Sequence, residues 1–295
     1  MKQKAKLVLS VLLAVCLLVT AALPAFASES DPNVYVSEGI YMAGGEDPYP
    51  FSTTVTFDPA SGRLTIDEAK GNIISIEDKD DFCRWIKTIA SGVKTVYITK
   101  NSIISHFSND QGMASYPFNK AFAYMTNLES FELEKGNEEL FVKDGVLYSQ
   151  VFFTLVHYPS AKPDKSFKIE DFCTGGLEPY AFCNTKYLEK LEFPSARKSL
   201  QLFDVEEYSL SAVDLETLEP QESSIKQIVF YGSEETFDYM VHFREGNNVA
   251  DQAEIVFVEQ SASQSFLDLF RVNVPMFFMR LISQIRFFFR SLGGR

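Results

Sequence analysis

Histidine is scarce in this sequence of 295 residues, which narrows the chemistry at once. His106, His157 and His242 are the three, and none stands at metal-ligand spacing from another or from a cysteine. They read as structural residues, so neither a metal nor a cofactor is expected. Past the first residues the cysteines are Cys83, Cys173 and Cys183, each beside a phenylalanine (Phe82, Phe172, Phe182). An odd set argues against a full disulfide framework. It leaves three readings: buried thiols acting as small hydrophobes, a Cys173–Cys183 bridge, or a reactive thiol. The densest acid run is Glu77-Asp78-Lys79-Asp80-Asp81. A calcium loop needs alternating oxygens and a turn glycine, and Lys79 interrupts the one while the other is missing. The run reads as a solvated helix entry. Glu132 and Glu192 occupy equivalent places in two similar segments, and as a glycosidase pair they would need a sugar cleft between them. A soluble outer strand face accounts for both. No Gly-x-Ser-x-Gly, His-Glu-x-x-His or phosphate-loop pattern occurs. The expectation is a chain that is not an enzyme, with a divergent secreted hydrolase as the weakest alternative.

Those segments belong to an internal repeat. Residues 121–133 and 181–193 align without a gap, each reading Ala-Phe, five residues, then Leu-Glu-x-apolar-Glu-apolar. The core of the unit recurs at 93–98 and 225–230. Strand side chains alternate between faces. Val96 with Ile98, Phe131 with Leu133, Leu191 with Phe193, and Ile228 with Phe230 therefore point one way. The outward set is Thr95, Tyr97, Ser130, Glu132, Lys190, Glu192, Gln227 and Val229. One unit cannot bury its apolar edge alone, but stacked units can, and the inward groups would then fuse into one continuous spine. If the exposed face binds a partner, the eight outward residues touch it; otherwise they are simply wet.

Other elements frame the repeat. Residues 53–57 and 63–66 alternate around Asp58-Pro59-Ala60-Ser61-Gly62, a hairpin with turn residues in place. Residues 81–91 are expected to be helical, with Phe82, Trp85, Ile86 and Ile89 on one face, Asp80 as a cap and Gly92 at the end. Between the second and third units, 143–159 contains two β-rich runs around a polar break, which predicts a hairpin ended by Pro159. Phe167-Lys168-Ile169 is expected to start another short strand.

The Ala-Phe units, the Asp144-Gly145-Val146-Leu147-Tyr148…Leu155-Val156-x-Tyr158-Pro159 insertion, and residues 230–237 followed by Gly246-Asn247 and the strand 253–258 together resemble the BspA-like leucine-rich repeat proteins of bacterial cell surfaces. The resemblance spans about 60–258. It departs from the family pattern at 197–224, where an acidic stretch replaces a clean unit, at Phe237, where a tryptophan is usual, and in an N-terminal hairpin without the family's glycines. It implies a parallel-strand solenoid displayed outside the cell and used to bind proteins or other surfaces. The expected fold is a β-rich repeat solenoid, an irregular leucine-rich repeat of short parallel strands. It carries a β-hairpin and helix cap at 28–92, the repeat domain at 93–258, a linker at 259–265 and a C-terminal amphipathic helix at 266–295. The expected function is a non-catalytic binding or adhesion module for an extracellular protein or glycan, with a structural, self-assembling envelope protein as the alternative.

The ends speak to location. Lys2, Lys4 and Lys6, the apolar run 7–23 and Ala25-Phe26-Ala27 form a secretory signal peptide, residues 1–27, on this reading. Its removal takes three lysines and shifts the formal charge from -13 to -16. Such a surface repels a phosphate backbone, so no nucleic-acid partner is expected. The localisation expected is secreted, with the cell surface or membrane as a place of attachment. Residues 266–295 differ in kind: Arg271, Arg280, Arg286, Arg290 and Arg295 stand against the single acid Asp268. At helical spacing Phe278, Leu281, Ile282, Ile285, Phe288, Phe289 and Leu292 share a face. That leaves three readings: peripheral contact with an anionic membrane, docking on the protein's own acidic body, or a partner-binding helix.

Overall fold

A computed structural model describes residues 31–41, 49–67, 79–102, 117–195 and 203–259. The signal peptide (1–27), His106, Glu77, Asp78, residues 197–202 and the cationic tail with Phe278, Leu281, Ile282, Ile285, Phe288, Phe289 and Leu292 lie outside the described residues. The chain divides after Val34. In the first unit, Asp31 closes a turn, its side chain accepting from the Asn33 N–H and its carbonyl from that of Val34. Everything below concerns Tyr35 onward.

The described residues are rich in strand, with few helices, in three sheets. The first sheet runs β1 (Val34–Tyr41), β2 (Tyr49–Asp58), β3 (Arg63–Asp67), β4 (Thr95–Ile98), β5 (Ser130–Leu133). β2 and β3 form the expected antiparallel hairpin, with Asp58 accepting from the Ala60 N–H and the Ser61 hydroxyl. β3, β4 and β5 are parallel, matching Arg63 to Thr95 to Ser130. Helix α1 (Lys79–Ile89) joins β3 to β4. It buries Phe82, Ile86 and Ile89, one side of 3.6-residue spacing, and places Asp80 and Asp81 in its first turn, where the dipole favours acids. It begins two residues before the expected start and ends in a 3-10 turn, Ala90–Gly92.

Helix α2 (Pro117–Tyr124) precedes β5 and carries Ala121 and Phe122, both fully buried. In the sister segment, Ala181 and Phe182 are equally buried but lie in turns. The two copies keep the same inward residues on different backbones.

Residues 140–157 form a three-strand antiparallel meander. β6 (Leu140–Lys143), β7 (Val146–Ser149) and β8 (Thr154–His157) follow one another. Asp144 and Gly145, at φ 51 and 78, make the two-residue turn from β6 to β7 that suits a twisted hairpin. From β8 to β13 the strands alternate between two sheets in chain order. β8, β10 (Gly176–Leu177) and β12 (Asp204–Val205) extend the second sheet in parallel. β9 (Ser166–Lys168), β11 (Lys190–Glu192), β13 (Gln227–Phe230) and β14 (Glu254–Phe257) form the third, also parallel. Helix α3 (Glu234–His242), capped by the Ser233 hydroxyl, joins β13 to β14.

The expectation of one repeat sheet over one spine needs correction. The four repeat strands divide two and two: β4 and β5 in the first sheet, β11 and β13 in the third. The inward side chains divide likewise. Val96, Ile98 and Phe131 join the core under α1 and α2, and Leu191, Phe193, Ile228 and Phe230 join another. β7 and β8 are the wall between them. Leu147 and Val156 belong to the first core, Val146, Tyr148 and Leu155 to the second, so β7 is buried throughout. Fully burying a side chain of this size contributes about 1.5–3 kcal/mol, which is why a short strand with two apolar faces is stable here.

Asparagines fasten successive segments. Asn247, 4% exposed, accepts from the Leu210 N–H and donates to the carbonyls of Glu206 and Val241. Asn248 exchanges both bonds with Ala212, and Asn184 does so with Val213. Replacing Asn247 by alanine strands the Leu210 N–H and the Val241 carbonyl in the interior, while the Glu206 carbonyl keeps Ser209, with an expected loss of about 2–3 kcal/mol in urea unfolding. An unchanged midpoint would show that water replaces the amide.

Candidate functional site

The outward strand face is built by parity. In the first sheet, Arg63 and Thr65, Thr95 and Tyr97, and Ser130 and Glu132 stand in two rows across β3, β4 and β5. Arg63 leans one step along the sheet. Its guanidinium lies 4.1 Å from the Tyr97 ring centre and 3.3 Å from the Glu132 carboxylate. Thr95 and Ser130 hydroxyls are 3.5 Å apart. A partly exposed pair of this kind is worth about 0–1 kcal/mol, so it orients side chains more than it stabilises the fold.

The third sheet repeats the composition. Lys168 Nζ stands 3.6 Å from Glu192, and the Tyr231 hydroxyl donates to the same carboxylate at 2.8 Å. Burial first, and Glu192 second, push the Tyr231 phenol up to about 12. Lys190 lies in register between Ser166 and Gln227, and Gln227 donates to Glu254 at 3.0 Å. Each sheet thus presents a cation, an aromatic ring and a carboxylate in contact, flanked by hydroxyls or amides.

Of the eight expected face residues, seven are at least partly exposed. Val229 is the correction: it is 7% exposed, a short side chain on a central strand between Glu192 and Val256 in register. The eight do not share one sheet. Thr95, Tyr97, Ser130 and Glu132 lie on the first sheet, Lys190, Glu192 and Gln227 on the third. Glu132 and Glu192 are therefore not on adjacent strands, and each is held by its own cation. Sequence reasoning missed Arg63, Lys168 and Tyr231. The alternation of residues 63–66 and 167–169 already put Arg63 and Lys168 opposite the apolar residues and could have found them. Tyr231 lies one residue past its strand, where alternation gives no guide.

Other chemically capable groups are engaged elsewhere. His157 is fully buried, in ring contact with Phe122 and Phe131. Burial holds its pKa down at about 3; the Tyr180 backbone opposes this weakly and closes no hydrogen bond at either nitrogen. Ser195 Oγ lies 3.0 Å from Lys168 Nζ and 3.2 Å from Asp171. Lysine-assisted serine chemistry needs a lysine walled off from water, and Lys168 stands 45% exposed against Glu192. Glu178, 2% exposed, accepts from Asn119 and Thr154 and ties α2 to β8. Cys83, Cys173 and Cys183 are free thiols; burial pushes Cys183 up to about 12 and Cys173 well above the ordinary range. Among the described residues no group of three or more His, Cys, Asp or Glu could hold a metal ion, and no helix is long and apolar enough to cross a membrane.

No protein-family model and no curated protein matches the chain. Among solved structures it is similar to the pneumococcal vaccine antigen PcpA, at 20% identity and a TM-score of 0.29, over 58% of this chain and 58% of that one. The chain thus spans a little over half the length of that antigen. It is also similar to a leucine-rich repeat protein from Eubacterium ventriosum, at 11% identity and a TM-score of 0.25, over 76% of this chain and 85% of that one.

Proposed function

We propose that the chain is a non-catalytic binding protein, displayed outside the cell, whose coils stack as an irregular leucine-rich-repeat solenoid. On this reading the outward strand rows receive an extracellular protein or glycan. The observation that carries it is the recurrence, on two sheets, of a cation, an aromatic ring and a carboxylate in mutual contact at outward positions over a buried apolar row. Such a surface offers tyrosine rings and, on the first sheet, an arginine, residue types enriched at binding interfaces, together with hydrogen-bond donors and acceptors. The alternation of strands between two parallel ladders from β8 to β13 supports stacked coils.

The test is retention of a panel of extracellular proteins and glycans by the full chain and two double variants. Tyr97→Ala with Glu132→Lys alters the first sheet; Lys190→Glu with Gln227→Ala alters the third. Loss of one or more retained ligands by about tenfold in one variant, with the melting temperature held, is expected. Equal retention by all three chains would remove the strand faces from consideration.

A further inference from the structure

We propose that the C-terminal segment 266–295 docks on the exposed aromatic side of α3. α3 buries Phe237, Met240 and Val241 and leaves Tyr239 71% and Phe243 63% exposed, one turn apart, with ring centres 5.6 Å from each other. Phe257 on β14, 5.9 Å from Phe237, is a third partly exposed ring at this end of the chain. Two exposed rings side by side offer an apolar surface that a covering segment would bury. A cation already rests there: the Arg244 guanidinium is 5.3 Å from the Phe243 ring.

Charge names the occupant. Between Glu234 and Glu259 the only lysine or arginine is Arg244, while Glu234, Glu235, Asp238, Asp251 and Glu254 are acids. The segment that follows carries five arginines against Asp268 alone, interleaved with phenylalanines. Rings and carboxylates on one side meet rings and guanidiniums on the other. β14 ends at Phe257, so a short linker keeps the segment that follows at high effective concentration near α3. An anionic membrane would have to approach these same carboxylates, which repel it, whereas docking pairs them.

Trypsin release of the peptide after Arg280 from the full chain measures the docked fraction. Tyr239→Ser with Phe243→Ser removes only exposed rings, so folding holds, and release is expected to accelerate about tenfold. Raising salt to about 0.5 M should accelerate release from the unaltered chain in the same direction. Glu235→Arg with Asp238→Arg should also free the segment, and adding Arg286→Glu with Arg290→Glu should restore protection. Three outcomes overturn the proposal: release equally fast from the unaltered and the doubly substituted chain, protection that needs phosphatidylglycerol vesicles, or protection that rises with protein concentration and so belongs to a second copy.

Discussion

Gly176→Ala is expected to lower the unfolding free energy by about 3–5 kcal/mol, the sum of backbone strain and a collision that cannot relax. Gly176 opens β10, between β8 and β12, paired with Thr154 on one side and Asp204 on the other. Its φ is +109, a region that a Cβ disfavours. A Cβ there would lie 1.9 Å from the Asp204 carbonyl oxygen and 2.6 Å from the Asp204 nitrogen. The obstacle is main chain, so no rotamer change clears it. The strands must separate, and with them the contacts of Leu177 and Val205 in the second core. Urea unfolding followed by circular dichroism is the measurement. A loss under about 1 kcal/mol would mean that β10 and β12 part without cost, and that the second sheet is not continuous at this point.

The second large effect is a pH dependence set by His157. Its pKa is lowered from 6.5 to about 3 by burial between the Phe122 and Phe131 rings, so the folded chain keeps the neutral imidazole. Above pH 6.5 both folded and unfolded forms are neutral there, and the residue adds no pH dependence. Below 6.5 the unfolded chain takes up a proton that the folded chain refuses, so stability falls as pH falls. The slope is about 1.4 kcal/mol per pH unit for one proton and continues to the folded pKa. His157→Leu, similar in size and unable to titrate, should flatten this limb. Relative to its deficit at pH 7.5, the variant should recover about 2 kcal/mol at pH 5. Carboxylates affect both chains alike and cancel in the difference. Identical pH profiles for the two proteins would mean that the imidazole reaches water or finds a partner when protonated.

Much of the local structure was legible because its causes are local. The 58–62 turn residues specify the β2–β3 hairpin, and the 3.6 spacing of Phe82, Ile86 and Ile89 specifies α1. Strand alternation identified the inward side of β4, β5, β11 and β13, and nearly all those residues are buried; Leu133 is only partly so. Asp144-Gly145 is a turn pair, yet neither that turn nor β6 before it was read, because Leu140-Phe141-Val142 is too short a run to separate from a loop by alternation. Val229 was assigned to the surface on parity alone. Parity tells which face a side chain leaves by, and neighbouring strands then decide whether water reaches it.

By itself the sequence determined which side chains of each strand turn inward, since a period of two needs nothing beyond the strand's own pattern. Only the tertiary structure decided which strands are neighbours. It separated Glu132 from Glu192, set β7 and β8 as a wall between two cores, and brought Arg63 onto Tyr97 and Glu132. The physical reason is that pairing joins residues far apart in the chain. Its free energy depends on how the intervening loops close, and no local pattern of residues records that.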